Sequence, residues 1–157
     1  MDLKEQYDKI LRYCYMKTRD RYLAEDIVQE TFLRFWQSRT YKETGKQLAY
    51  LYTIARNLCM DEFRRPVSED VSEYEGRLSD MKAGPERVVE NLDLEQALDG
   101  LPEELREIVV LRYTSGLSAE EIGKMMGLSR FAVNRRAKAG LQLLQKNLKE
   151  GGRQDDR

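Results

Sequence analysis

Apolar residues recur at helical spacing almost from the start of the chain. Leu3, Tyr7, Ile10, Leu11 and Cys14 share one stripe, which predicts a helix over about Leu3–Met16. Asp20 is placed to cap a second helix near Arg21–Trp36. Thr44 and Gln47 have capping-box spacing for a third, which runs to about Arg65 and should stop before Pro66. Residues 67–84 are acidic, poor in large aliphatics and without period, so they read as a flexible linker. Pro85 suits the first turn of a new helix that ends at Gly100. Pro102 opens another over Glu103–Tyr113, with Leu105, Ile108, Val109 and Arg112 in step. Ser118 and Glu121 form a second capping box, for a short helix Ala119–Met126 that ends at Gly127. Ser129 then caps a final helix to about Leu148. The expected fold is all-α: two small helical domains, 1–66 and 85–150, joined by the linker 67–84 and followed by a tail, 151–157.

Composition narrows what such a fold can do. No stretch approaches the roughly 18 apolar residues a membrane span needs, and the first residues lack an apolar signal region. These features predict a cytoplasmic protein with no membrane insertion. The two cysteines, Cys14 and Cys59, both fall on apolar helical faces and are expected to be buried, reduced thiols. There is no histidine, which removes the commonest general base and most zinc sites. No glycine-rich phosphate loop occurs either, so neither catalysis nor a metal or cofactor is expected. The net charge of -1 averages unlike segments. Residues 1–66 carry 13 Lys/Arg against 10 Asp/Glu, residues 67–100 carry 3 against 10, and residues 101–157 carry 11 against 8. Two mildly basic blocks therefore flank an acidic one, and each basic block is a candidate nucleic-acid surface.

The C-terminal block carries a helix-turn-helix pattern: Ala119–Met126, the turn Gly127-Leu128-Ser129, and the helix that follows. Val133, Ala137, Gly140, Leu141, Leu144 and Leu148 form its buried stripe. Arg130, Asn134 and Lys138 share the opposite face, with Arg135 beside them and Ser129 at the cap. Six Lys/Arg and no acid occur from Gly127 to Lys149. A plain solvated helix would mix signs; a recognition helix would use Arg and Asn on guanine and adenine edges and the other cations on phosphates. Gly123 stands where such units usually carry alanine, permitting close helix contact while weakening the helix by about 1 kcal/mol.

The N-terminal block offers two further surfaces. Ala24, Ile27, Val28, Thr31 and Phe35 supply a core stripe on the second helix, whereas Asp26, Gln29, Leu33 and Trp36 form another that begins polar and ends apolar. That second stripe is either a protein-docking surface or more core packed on a neighbouring helix. The third helix interleaves Tyr50, Tyr52 and Phe63 with Lys46, Arg56, Asn57, Arg64 and Arg65. Aromatics among cations suit single-stranded DNA, where bases stack and phosphates pair, but equally an amphipathic helix with half-buried tyrosines.

Two motif blocks bear on that choice. The run Tyr22-Leu23-Ala24-Glu25-Asp26-Ile27-Val28-Gln29-Glu30-Thr31-Phe32, with Leu51-Tyr52-Thr53-Ile54-Ala55-Arg56-Asn57, Asp61 and Arg64-Arg65, resembles region 2 of extracytoplasmic-function sigma factors of bacterial RNA polymerase. Leu101-Pro102, Arg106-Glu107, Leu111-Arg112-Tyr113, Gly116-Leu117-Ser118 and the helix-turn-helix resemble region 4 of the same family, in its order and spacing. A response regulator, which shares the helix-turn-helix pattern, would need a βα receiver that is absent from the sequence. The resemblance implies an alternative sigma factor rather than an enzyme: core RNA polymerase (β′ clamp helices and β flap) and promoter DNA as partners, and an anti-sigma factor as controller. It implies that Asp26, Ile27, Gln29, Glu30, Leu33 and Trp36 lie on or beside the clamp-docking surface. Arg56, Asn57, Asp61 and Arg64 would face the −10 element, and the loop Gln37–Gly45 would cradle a flipped base. Ser129, Arg130, Asn134, Arg135 and Lys138 would serve the −35 element. Tyr50 and Gln47 depart from the tryptophan and the apolar residue usual there, and Ala137 and Ala139 from a large aliphatic and an arginine. The rival from another class is a helix-turn-helix repressor or activator that works without polymerase; a third is an RNA-binding helical adaptor.

Overall fold

The computed structural model describes residues 3–38, 47–64 and 92–155. The chain divides into two compact units, Met1–Val88 and Val89–Arg157. The expected Thr44 cap, the base-cradling loop from Arg39 onward, the stop at Pro66, the linker 67–84 and the helix start at Pro85 lie outside the described residues.

In the first unit α1 (Leu3–Thr18), α2 (Arg21–Gln37) and α3 (Gln47–Arg64) each pack on the other two. A tight corner joins the first pair. Thr18 Oγ1 donates to the Cys14 carbonyl at 2.9 Å, Arg19 takes a left-handed φ of 58°, and Asp20 starts the next helix. The Asp20 carboxylate accepts from the amides of Tyr22 (3.0 Å) and Leu23 (3.2 Å), satisfying two of the donors a helix start leaves open. The expected core stripe of α2 is buried throughout, and Thr31 settles its buried hydroxyl on the Ile27 carbonyl at 2.7 Å. The face of α1 differs from expectation. Leu3 is exposed, and the buried set is Ile10, Tyr13, Cys14 and Lys17. The inward turn of Tyr13 follows from its partner: its ring meets Tyr52 edge-on at 5.3 Å, an arrangement that aromatic quadrupoles favour. Cys14 and Cys59 are free, buried thiols on α1 and α3. A hydrogen bond with Cys59, reinforced by burial, holds the Cys14 thiol well above the ordinary thiol range.

The second unit is assembled on one long helix. Three shorter helices, α4 (Leu92–Asp99), α5 (Glu103–Val109) and α6 (Ala119–Met126), all pack against α7 (Arg130–Asp155). Ala97, Leu101, Val109 and Leu144 form a core flanked by Leu94, Leu98, Leu141, Leu143 and Leu148. Asn147 reaches across to donate to the Ala97 carbonyl at 3.1 Å. Gly140 lets α5 and α7 approach, since a Cβ there would sit 2.6 Å from Val109 Cγ2.

The segment expected as one helix, Glu103–Tyr113, is α-helical only to Val109 and continues as a π turn, Val110–Thr114. Its wider ladder is closed by the Ser115 amide on the Val110 carbonyl (2.9 Å) and the Leu117 amide on Leu111 (3.0 Å), with Gly116 left-handed behind it. Leu111, three residues after fully buried Ile108 and four after buried Glu107, is fully buried as well, a position outside the expected stripe. α7 also runs past its expected end near Leu148 to Asp155; Lys149 and Glu150 are good helix formers and supply no stop.

Candidate nucleic-acid and partner interfaces

The helix-turn-helix is built from local signals. Ser118 and Glu121 cap α6 reciprocally: Ser118 Oγ accepts from the Glu121 amide at 3.1 Å, and Glu121 Oε1 accepts from the Ser118 amide at 2.9 Å. Gly127 ends the helix with φ 71°, the left-handed geometry glycine adopts without steric penalty. The Leu128 amide then folds back on the Gly123 carbonyl at 2.9 Å. Ser129 Oγ accepts from the Ala132 amide at 3.1 Å and so caps α7, a positioning role whatever else it touches. Val133, fully buried, locks the second helix onto the first.

That lock decides which side of α7 faces out. Arg130, Asn134, Arg135 and Lys138 are all exposed, and at 100° per residue they span about 140° of one face. Arg136, turned to the other flank, forms an ion pair with Glu104 on α5 and is half-buried. Its guanidinium is thus tied to the scaffold, while the cations of the outward face are left for a partner. A residue absent from the expected site lies in the middle of that arc: Phe131 is 68% exposed, with the Arg130 guanidinium 5.0 Å from its ring centroid. The signal in the sequence is a large aromatic four positions before Arg135 and seven before Lys138, off the Val133–Ala137 stripe.

The outer face of α2 answers the question that periodicity left open. Leu33 is 50% and Trp36 62% exposed, so neither is core. They share an arc of about 120° with Asp26, Gln29 and Glu30, all exposed. Ile27 differs from its neighbours in that list: at 6% exposure it belongs to the core beneath the face. Trp36 is seated on Phe32 (centroids 5.7 Å apart), which stacks in turn on Tyr7 at 6.0 Å, so an aromatic run leads from core to surface. Partial burial, with the Glu25 and Asp8 carboxylates nearby, raises the Tyr7 hydroxyl above its ordinary pKa. The Glu30–Arg34 pair (2.9 Å) is exposed and contributes only a few tenths of a kcal/mol.

On α3, Asn57, Asp61 and Arg64 are exposed within about 60° of one another, and Arg56 is half-buried on the adjoining flank. The expected row of stacking aromatics is reduced there. Tyr52 is 1% exposed against Tyr13, and Tyr50 packs on Phe35 while its hydroxyl donates to Ser38 Oγ at 2.8 Å. Of the three only Phe63, in the last turn of α3, presents its ring, whereas Tyr52 and Tyr50 are taken up by Tyr13 and Phe35. Lys46 and Arg65 lie outside the described residues.

Among the described residues, then, the chain has a helix-turn-helix with a cationic outward face and a three-helix unit with an unburied apolar and acidic face. The first surface has the charge that suits a nucleic acid, and the second the apolar character that suits a protein partner. Residues 3–67 match the model of Sigma-70 region 2, and residues 97–146 that of Sigma-70, region 4. The ECF RNA polymerase sigma factor SigE of Mycolicibacterium smegmatis is 34% identical over 90% of this chain, which spans 58% of that protein's length. SigW of Bacillus subtilis is 31% identical, with 91% of this chain and 84% of SigW covered. CarQ of Myxococcus xanthus is 36% identical, with 84% and 78% covered. The fold matches that of the sigma factor RpoE from Bartonella quintana, solved with the anti-sigma factor NepR, at a TM-score of 0.69 over 94% of each chain and 21% identity. The chain belongs to the extracytoplasmic-function sigma factors.

Proposed function

We propose that this chain is an alternative sigma factor that binds core RNA polymerase and directs promoter-specific initiation. Residues 1–66 dock on the β′ clamp helices and engage the −10 element. Residues 85–150 read the −35 element and meet the β flap, the linker 67–84 connects the two, and 151–157 is a tail. The chain supplies contacts and the polymerase supplies the chemistry, in the cytoplasm. The observation that carries this reading is the exposure of Leu33 and Trp36 beside Asp26, Gln29 and Glu30. Leaving a large apolar side chain in water forgoes about 1.5–3 kcal/mol, which a docking partner recovers. Asn57, Asp61 and Arg64, with Arg56 on the flank and Phe63 near them, form the −10 surface; Arg130, Asn134, Arg135 and Lys138, held in register by the Ser129 cap, form the −35 surface. An anti-sigma factor is the third partner, as NepR is for RpoE.

The test is reconstitution. The purified chain should bind core polymerase and confer run-off transcription on a subset of a promoter panel. Asp26→Ala with Leu33→Ala should weaken that association at least tenfold while the helical circular dichroism is kept. The free chain should bind duplex DNA weakly. Nanomolar, sequence-specific binding by the free chain at physiological salt would overturn the reading in favour of a polymerase-independent regulator.

A further inference from the structure

Among the described residues Phe131 is the most exposed large hydrophobic, and it has no structural duty that accounts for its position. It lies in the first turn of α7, opposite Val133 and Ala137, so the core is complete without it. Its surroundings are cations and an amide: Arg130 over the ring at 5.0 Å, Asn134 and Arg135 one turn on, Lys138 two turns on. No acid occurs between Gly127 and Lys149. A flat apolar ring inside a cationic arc suits a polyanion that also presents an apolar group at groove depth. Duplex DNA has one such group on its base edges in the major groove, the 5-methyl of thymine.

We infer that Phe131 is a specificity-determining residue of the −35 interface, its ring packing on a thymine methyl while Arg130, Arg135 and Lys138 hold the flanking backbone and bases. Arg130 has a second role in this arrangement. By lying over the ring it limits the rotamers Phe131 samples, which lowers the entropy lost on docking. The inference rests on α7 being the DNA-reading helix, and it adds what that reading lacks, an apolar contact and the base it selects.

Holoenzyme reconstituted from core polymerase and this chain should be used to select duplexes from a pool with a randomised −35 segment. Wild-type holoenzyme should enrich thymine, on either strand, at one or two positions; Phe131→Ala holoenzyme should lose that enrichment and keep the rest. In a selected duplex, replacing that thymine by deoxyuridine removes only the methyl. Wild-type binding should fall about fourfold, the worth of one buried methyl, and Phe131→Ala binding should not change. Equal loss with thymine and uracil overturns the methyl contact. Loss of polymerase association without DNA overturns it in favour of a protein contact. No effect of Phe131→Ala at all overturns it too. Lys138→Ala separates failure of the inference from failure of its premise. If Lys138→Ala lowers promoter binding and its salt dependence while Phe131→Ala does neither, α7 reads DNA without Phe131. If neither variant has an effect, α7 is not the reading helix.

Discussion

Replacing Gly123 with alanine sets helix propensity against steric overlap at the centre of the helix-turn-helix. Alanine in the interior of α6 gains about 1 kcal/mol over glycine. The new Cβ, however, would lie inside 3.0 Å of the Leu128 carbonyl oxygen, with Leu128 C at 3.4 Å and Ser129 C at 3.7 Å. These are backbone atoms, so no side-chain rotation relieves the overlap; the turn Gly127–Ser129 has to move outward. That movement stretches the bond from the Leu128 amide to the Gly123 carbonyl, now 2.9 Å, and loosens fully buried Ile122 and Val133. Overpacking of this kind costs about 1–3 kcal/mol and a weakened hydrogen bond about 1 kcal/mol. The overlap therefore wins by about 1–3 kcal/mol. For a unit of this size that lowers Tm by about 5–20 °C. Calorimetry of the full chain measures the shift, and amide exchange should place the loss of protection in α6 and the first turns of α7. A Tm equal to or above wild type would show that the turn has slack, and that glycine is not required for the approach of the two helices.

Other perturbations follow from the same geometry. Trp36→Ala removes a 62% exposed ring and should change Tm by no more than a few degrees, yet weaken polymerase association tenfold or more by surface plasmon resonance. A melted fold would place Trp36 in the core. Arg135→Ala should cost about 1–3 kcal/mol at particular −35 positions, whereas Lys138→Ala should weaken all promoters alike and reduce the salt slope by about one unit. Arg136→Ala, which breaks the pair with Glu104, should touch stability and leave promoter preference unchanged in the same holoenzyme assay. Cys14 should resist thiol reagents in the folded protein and react on unfolding, as followed by thiol titration in denaturant. Its folded pKa is raised, so its contribution to stability is full below the ordinary thiol pKa of about 8.5 and fades as pH climbs toward the folded value. Denaturant midpoints that rise between pH 8 and 10 would contradict that sign.

The sequence by itself determined what depends on neighbours three or four residues away. Asp20, the Ser118–Glu121 box, Gly127 and Ser129 each satisfy or end a helix through bonds to their own segment, and the structure has them in those roles. The resemblance to sigma regions 2 and 4 was likewise legible, because it rests on ordered runs of residues. Tertiary structure decided the questions in which two faces of one helix compete for burial. Periodicity gave α2 two apolar stripes, and only the packing of α1 and α3 buried Ile27 and left Leu33 and Trp36 in water. The same packing turned Tyr52 inward against Tyr13, which removed it from the stacking surface that its sequence neighbours had implied. The π turn at Val110–Thr114 ended the α-helical ladder early, a change of hydrogen bonding that a fixed 3.6-residue period cannot express. The exposure of Phe131 is likewise set by packing, which buries Val133 and Ala137 on the opposite side of α7. A helix has one apolar period but many possible partners, and burial is set by the partner.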